Sequence, residues 1–139
     1  MHIKLNPYLN FNGKAKEAME FYQSALGGQL TMTTFKDGGM PVDPSEAGNI
    51  MHAQLLTDDG LTLMASDTPK EWPLNPGNNV SLSLSGEDDA TLKDYWDKLS
   101  QGGTIDQPLM AAPWGDTFGM FTDRFGIRWM VNILGKKSA

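Results

Sequence analysis

Two stretches of this chain echo each other: EFYQSALGGQLTM at 20–32 and DYWDKLSQGGTID at 94–106. Each runs from an aromatic pair through a leucine and a double glycine into a strand-like segment. A unit of about 65 residues used twice is one supersecondary unit repeated, not a solenoid, since solenoids need three or more stacked repeats to bury a continuous core. The echo constrains the fold strongly, because whatever surrounds the first copy should surround the second.

The surrounding patterns agree. Residues 3–11 alternate, with Ile3, Leu5, Leu9 and Phe11 on one side and Lys4, Asn6, Tyr8 and Asn10 on the other, the period of a half-buried strand. Pro7 lacks a ladder donor, which places this strand at an edge or turns that position away from a neighbour. Residues 14–26 carry Ala15, Ala18, Met19, Tyr22 and Leu26 at helical spacing. Asn12 and Gly13 offer a start, and Gly27 and Gly28 a stop. Strands are expected at 29–35, 49–56 and 61–67, with a Gly/Pro/Asp-rich loop at 36–48. Asp58, Asp59 and Gly60 signal the hairpin turn between the last two.

A proline-rich linker at 68–79 separates the halves, and the order then restarts. VSLSLS at 80–85 alternates strictly. Residues 87–101 predict an acidic-fronted helix burying Ala90, Leu92, Tyr95, Trp96 and Leu99, its first-turn carboxylates suiting the helix dipole. Strands follow near 104–109, 116–122 and 127–134. The expected class is α+β, with two tandem βαβββ modules in one domain spanning 1–139: module one at 1–67, the linker, module two at 80–134 and a tail at 135–139.

Composition narrows function. The net charge of −6 gives no basic face for nucleic acid, and the only basic cluster is Lys136 and Lys137. No apolar run reaches the roughly 18 residues of a membrane span. The first residues show no signal-peptide pattern, and the absence of cysteine fits a reducing compartment, so a cytoplasmic location is expected. Thiolate nucleophiles and thiolate metal sites are excluded. The sequence contains no phosphate-binding glycine loop, HExxH motif or serine nucleophile elbow.

Taken together, YLNFNGKAKEAMEFYQSALGG (8–28), HAQL (52–55), LMASD (63–67), PWGDTFGMFTDRFGIRWMVN (113–132) and the helix pattern at 90–103 resemble the PhnB-like branch of the vicinal oxygen chelate superfamily. That superfamily includes glyoxalase I, bleomycin-resistance proteins and extradiol dioxygenases. The resemblance covers almost the whole chain. It implies that each sheet curls into a cup, with the helices on the convex side and a ligand in the concave side. It also implies a homodimer. The branch often carries a demethylubiquinone-methyltransferase-type name, but the sequence has no Gly-rich cofactor turn after a first parallel strand.

In metal-dependent members of the superfamily, His or Glu ligands come from the first and last strands of each module. The corresponding positions here fall near Asn6 and Met64, and near Asn79 and Met130. A thioether is too soft for hard divalent ions and an amide oxygen is a weak donor, so neither a metal nor another cofactor is implied. The nearest carboxylates, Asp67 and Asp123, sit at strand and turn ends.

The two histidines are His2, at the terminus, and His52, on an inner strand. His52 admits two readings: a buried, hydrogen-bonded structural group, or a polar group facing ligand and carrying protons near neutral pH. Around the turn at 124–126, alternation sends Arg128, Met130 and Asn132 to one face and Ile127, Trp129, Val131 and Ile133 to the other. The first face suits the cup, and by parity Asn6, Tyr8, Met64, Ser81 and Ser83 join it. Trp114 and Phe118 are either the cup's rim or wall, or core and dimer interface.

The expected ligand-binding residues are therefore Asn6, Tyr8, His52, Met64, Ser81, Trp114, Phe118, Met130 and Asn132, with no catalytic residue assigned. The favoured function is a metal-independent small-molecule binding protein that engages neither nucleic acid nor membrane. The alternative is a lyase, isomerase or dioxygenase with a non-standard site around His52.

Overall fold

A computed structural model describes residues 3–135; His2 and the Lys136, Lys137 pair lie outside the described residues. The chain forms two compact units, Met1–Asn75 and Pro76–Ala139. The first holds β1 (Tyr8–Phe11), α1 (Ala15–Leu26), β2 (Gln29–Thr34), β3 (Ile50–Leu56) and β4 (Thr62–Asp67). The second holds β5 (Leu82–Gly86), α2 (Asp89–Leu99), β6 (Thr104–Ala111), β7 (Thr117–Thr122) and β8 (Arg128–Ile133). The sheet orders are β1-β4-β3-β2 and β5-β8-β7-β6. In each, the first strand pairs parallel with the last and the remaining pairs are antiparallel. The fold is thus α+β with two tandem βαβββ modules, and the duplicated order expected from the echo is present in full. No helix among the described residues is long and apolar enough to cross a membrane.

The double glycines repeat for a steric reason. A Cβ on Gly28 would overlap the Leu56 carbonyl and lie 2.6 Å from the Thr57 Cα. A Cβ on Gly103 would overlap the Thr122 carbonyl and lie 2.9 Å from the Asp123 Cα. In both units the chain leaving the helix passes directly against the backbone of a hairpin strand end. Only glycine permits that approach.

Each helix covers one face of its own sheet. Under α1 lie Leu9, Phe11, Ala53, Leu55, Leu63 and Ala65, all buried with Met19 and Tyr22 of the helix. Under α2 lie Phe121, Trp129, Val131 and Ile133. The Trp96 ring meets Phe121 edge-on at 5.0 Å between centroids, and its far edge rests where a side chain on Gly119 would sit. Phe121 in turn stacks on Trp129.

The carboxylates that the sequence places at strand and turn ends are buried structural groups. Asp67, 2% exposed, accepts from the Ala15 N–H at 3.0 Å and from the Ile50 N–H at 2.9 Å. It supplies the α1 cap from the end of β4, since Lys14 at the N-cap makes no side-chain cap bond. Asp123 accepts from the Phe125 and Ile127 amides and from the Trp129 indole at 2.8 Å, fixing the β7–β8 turn. In α2 the cap is local. Asp88 takes the Thr91 amide and hydroxyl, and these bonds hold its carboxyl below the ordinary 3.8.

Three expectations are corrected. The strand expected over 3–11 begins only at Tyr8; Ile3 and Leu5 are 92% and 100% exposed. Because Tyr8 pairs with Met64 and β4 starts at Thr62, β4 offers nothing beyond Asn6 to pair with. β1 is an edge strand, as Pro7 suggested, and the Pro7 carbonyl still accepts from the Met64 N–H. The helix expected over 87–101 runs from Asp89 to Leu99, and Ala90 in its first turn is exposed. Finally, β6 is longer than expected. It is an edge strand with two register shifts against β7, and nearly all of it is exposed.

Replacing Gly103, whose φ is ordinary, isolates the steric effect from backbone strain. Gly103→Ala is expected to destabilise the protein by about 2 kcal/mol in urea unfolding. Gly48→Ala, where a Cβ meets nothing within 4 Å, should change stability by less than about 0.5 kcal/mol. Equal effects would contradict the close-approach account.

Candidate functional site

Once each helix has covered one sheet face, the other face carries the alternate residues. In the first unit Tyr8 pairs with Met64 and Asn10 with Ser66, while Gln54 sits opposite Met64 and Thr33 opposite His52. The result is a face of neutral polar groups around a methionine. The Tyr8 hydroxyl lies 3.2 Å from His52 Nδ1, with the rings 5.8 Å apart. Beside them the Ser66 hydroxyl donates to Asn10 Oδ1 at 3.4 Å.

His52 therefore combines the two readings: it is half-buried and hydrogen-bonded, and it stands on the uncovered face. The pair has two forms related by one proton. Either the phenol donates to a bare Nδ1 and the ring proton sits on Nε2, or Nδ1–H donates to the phenol oxygen. Asn6 lies before β1 begins and is not part of the ladder.

In the second unit Ser83 pairs with Met130 and Ser85 with Asn132 across β5 and β8. Phe118 and Met120 of β7 pair with Asn132 and Met130. Asn132 is held at both ends of its amide. Its Nδ2 donates to Asp116 Oδ2 at 2.9 Å, and its Oδ1 accepts from the Trp114 indole at 3.4 Å. Asp116 also accepts from the Gly135 N–H at 2.9 Å. Trp114 stands in the turn before β7, edge-on to Phe118 at 5.5 Å, and is 60% exposed. Ser81 lies one residue before β5 and is half-buried.

The site residues named from the sequence thus fall into two groups. Tyr8, His52 and Met64 share one face; Trp114, Phe118, Met130 and Asn132 share another. Two residues absent from that set belong with the second group. Asp116 orients Asn132 from the bend just before β7, one residue ahead of the strand expected to begin with it. Arg128 shares the parity of Met130 and Asn132, so alternation alone already placed it there; its Nη1 donates to the Asn78 carbonyl at 2.8 Å.

Corresponding register positions show how poorly these faces suit the superfamily's metal. Tyr8 opposite Met64 corresponds to Ser83 opposite Met130, so the counterpart of Asn6 is Ser81, not Asn79. The four positions then read Asn, Met, Ser and Met. Among the described residues no three His, Cys, Asp or Glu side chains come together as a metal-holding group. Asp67 and Asp123 are engaged by backbone and indole N–H groups on the covered sides. These donors do not fit a hard divalent ion.

The loop between β2 and β3 is tied within its own unit. Lys70 donates to Asp43 at 2.9 Å, and Glu46 accepts from the Lys70 amide at 3.0 Å. The Lys70 and Ser45 hydrogen bonds hold the Asp43 carboxyl well below its usual range, and Asp43 raises the Lys70 ammonium.

Comparison with known proteins agrees with this architecture. The model of a family described as 3-demethylubiquinone-9 3-methyltransferase matches residues 3–132. The chain is 38% identical to protein PA1353 from Pseudomonas aeruginosa, with 97% of this chain and all of that one covered and a TM-score of 0.85. It is 29% identical to a putative 3-demethylubiquinone-9 3-methyltransferase, the PhnB protein from Bacillus cereus, over 94% of this chain and 99% of that one, with a TM-score of 0.71. Protein YjdN of Escherichia coli is 27% identical over 95% of this chain and 96% of its own length. In fold alone, the chain is similar to a glyoxylase/bleomycin resistance protein/dioxygenase domain from Frankia at 14% identity, over 100% of this chain and 96% of that one, with a TM-score of 0.66.

If the Asn132 amide is the fixed point of its face, Asn132→Leu should cost about 1–2 kcal/mol in urea unfolding, because Asp116 loses a donor and Trp114 an acceptor. Ser83→Ala on the same face should change stability by less than about 0.5 kcal/mol. An Asn132→Leu effect no larger than that of Ser83→Ala would show that the network does not hold the face.

Proposed function

The chain belongs to the PhnB-like, 3-demethylubiquinone-9 3-methyltransferase family, and from that membership we propose that it is a metal-independent binding protein for a small molecule, of the glyoxalase/bleomycin-resistance type. One observation carries the reading. The uncovered sheet faces are lined by hydroxyls, amides, methionines and aromatics, and the carboxylates nearest the superfamily's metal positions are engaged in holding a helix start and a turn. Apolar walls with a few fixed polar groups are the usual make-up of a small-molecule site, and methionine adapts its shape to an occupant. Neither sheet is the all-parallel, doubly wound kind with a glycine-rich turn that holds a nucleotide-type cofactor, so the methyltransferase in the family's description does not guide this reading. A cytoplasmic location, with neither nucleic acid nor membrane as partner, goes with it.

The Tyr8–His52 hydrogen bond favours one second reading, an enzyme of the superfamily that moves a proton through this pair. Its discriminating variant is His52→Ala. Glyoxalase-type turnover that is present in the parent and lost in the variant would support the enzyme.

A homodimer is part of the proposal. It is supported by the large apolar groups that stay exposed, among them Ile3, Leu5, Trp72 and Val80. Light scattering at micromolar concentration should give twice the chain mass of 15.2 kDa; the single mass would refute the dimer. For the metal, protein dialysed against nickel, manganese, iron and zinc in turn should emerge without a stoichiometric ion by native mass spectrometry. One tightly held ion per chain would overturn metal independence.

A further inference from the structure

We propose that Arg128 is the anchor for an anionic group, and that the occupant of the second unit's open face is a small amphipathic acid, with a carboxylate on one end of an apolar or aromatic body. The inference rests on the small-molecule reading and names the class of ligand.

Arg128 opens β8 on the same face as Met130 and Asn132 and is half-buried. Its Nη1 is tied to the Asn78 carbonyl at 2.8 Å, which holds one corner of the guanidinium. A neutral carbonyl satisfies one donor and leaves the positive charge uncompensated. In a chain with 17 acidic and 11 basic side chains, a cation without a counter-charge is unexpected, yet among the described residues Arg128 makes no ion pair. Asp106, on the strand beyond its cross-strand partner Thr122, accepts from the Thr122 hydroxyl instead at 2.9 Å.

The Nε atom is buried and has no hydrogen-bond partner among the described residues. With Nη1 engaged, the Nε–Nη2 edge has no partner among the described residues. That edge presents two parallel N–H groups and matches a carboxylate side-on. An unsatisfied, water-excluded N–H on a fixed cation is unfavourable, and an arriving oxyanion relieves it. The Met120 and Met130 chains, neighbours on this face by register, are flexible enough to move aside for it.

The remainder of the face sets the other end of the ligand. From Arg128 to Asn132 the strand advances about 13 Å. Met130 and Met120 occupy the middle, and Phe118 with Trp114 edge-on to it stands at the far end. Asp116, the carboxylate at that end among the described residues, is engaged by Asn132 and Gly135. A ligand with its acid at Arg128 therefore meets thioethers and then aromatic rings. A phosphate monoester without an apolar body would use only the first of these.

The chain has two arginines, which makes the test direct. The Nε–H signal of Arg128 is followed by 1H–15N NMR, with Arg124 as internal reference because its Nε donates to the Gln101 carbonyl. The probes are benzoate, 4-phenylbutyrate, indole-3-acetate and decanoate, each beside its neutral amide. At least one acid should shift the Arg128 signal saturably, bind at least about tenfold more tightly than its amide, and weaken with added salt. Arg128→Gln should reduce the preference for acid over amide to near unity, and Arg128→Lys should keep part of it. Amides binding as tightly as acids would overturn the anion anchor while leaving the small-molecule reading intact. So would an Arg128→Gln variant that melts like the parent and still prefers acids. If Arg128→Gln does not fold, Arg128→Lys takes its place: an acid preference smaller than the parent's, with amide binding retained, supports the anchor, and an undiminished preference overturns it. Absence of any acid-induced shift at millimolar concentration also overturns it.

Discussion

The packing of one helix against one face of a four-stranded sheet, done twice, is the constraint on which the rest of this molecule depends. Burying a large apolar side chain is worth about 1.5–3 kcal/mol, and α1 with Met19 and Tyr22, or α2 with Trp96 and Leu99, brings several under cover at once. The helices can sit where they do because Gly28 and Gly103 let the chain leave the helix against hairpin backbone, and because Gly119 makes room for the Trp96 ring. Strand alternation does the rest: every residue committed to the helix side leaves its neighbours on the other face, so the composition of the open faces is fixed by the same pleat that builds the core.

This division also decides the chemistry. Asp67 and Asp123 cap a helix and close a turn, and both are withdrawn from the open faces. What remains at the register positions where the superfamily carries metal ligands is amide, hydroxyl and thioether. The polar groups that do stand on the faces are arranged in pairs or networks: Tyr8 with His52, Ser66 with Asn10, and Asn132 between Asp116 and Trp114. Such groups can orient a ligand. Arg128, tied to the Asn78 carbonyl and making no ion pair among the described residues, gives the second face a positive charge.

Most of this was legible in the sequence, for reasons that particular residues make plain. The echo around the double glycines announced the duplication because the same close approach is needed in both copies. Period-two alternation located β4 and β8 and assigned the faces of Met64, Met130 and Asn132, since within each unit the helix packs on one side of the strand. Alternation failed at Ile3 and Leu5, where the pattern of a strand continues past the point at which β4 can pair with it. The cap on α1 could not be found locally, because its acceptor lies 52 residues away. Asp116 was missed for a related reason: its role appears only when Asn132 and Gly135, 16 and 19 residues on, are brought beside it.

The central claim is that the uncovered faces are where a small molecule binds, and labelled methionines report on it directly. Of the nine methionines, Met64, Met110, Met120 and Met130 lie on these faces by register, while Met19 is buried on the sheet-facing side of α1. With 13C-methyl methionine in the protein, compounds that raise its melting temperature are added one by one. The account expects such a compound to shift the Met120 and Met130 or the Met64 methyl signals and to leave Met19 unmoved. Stabilising compounds that leave every open-face methyl in place would contradict it.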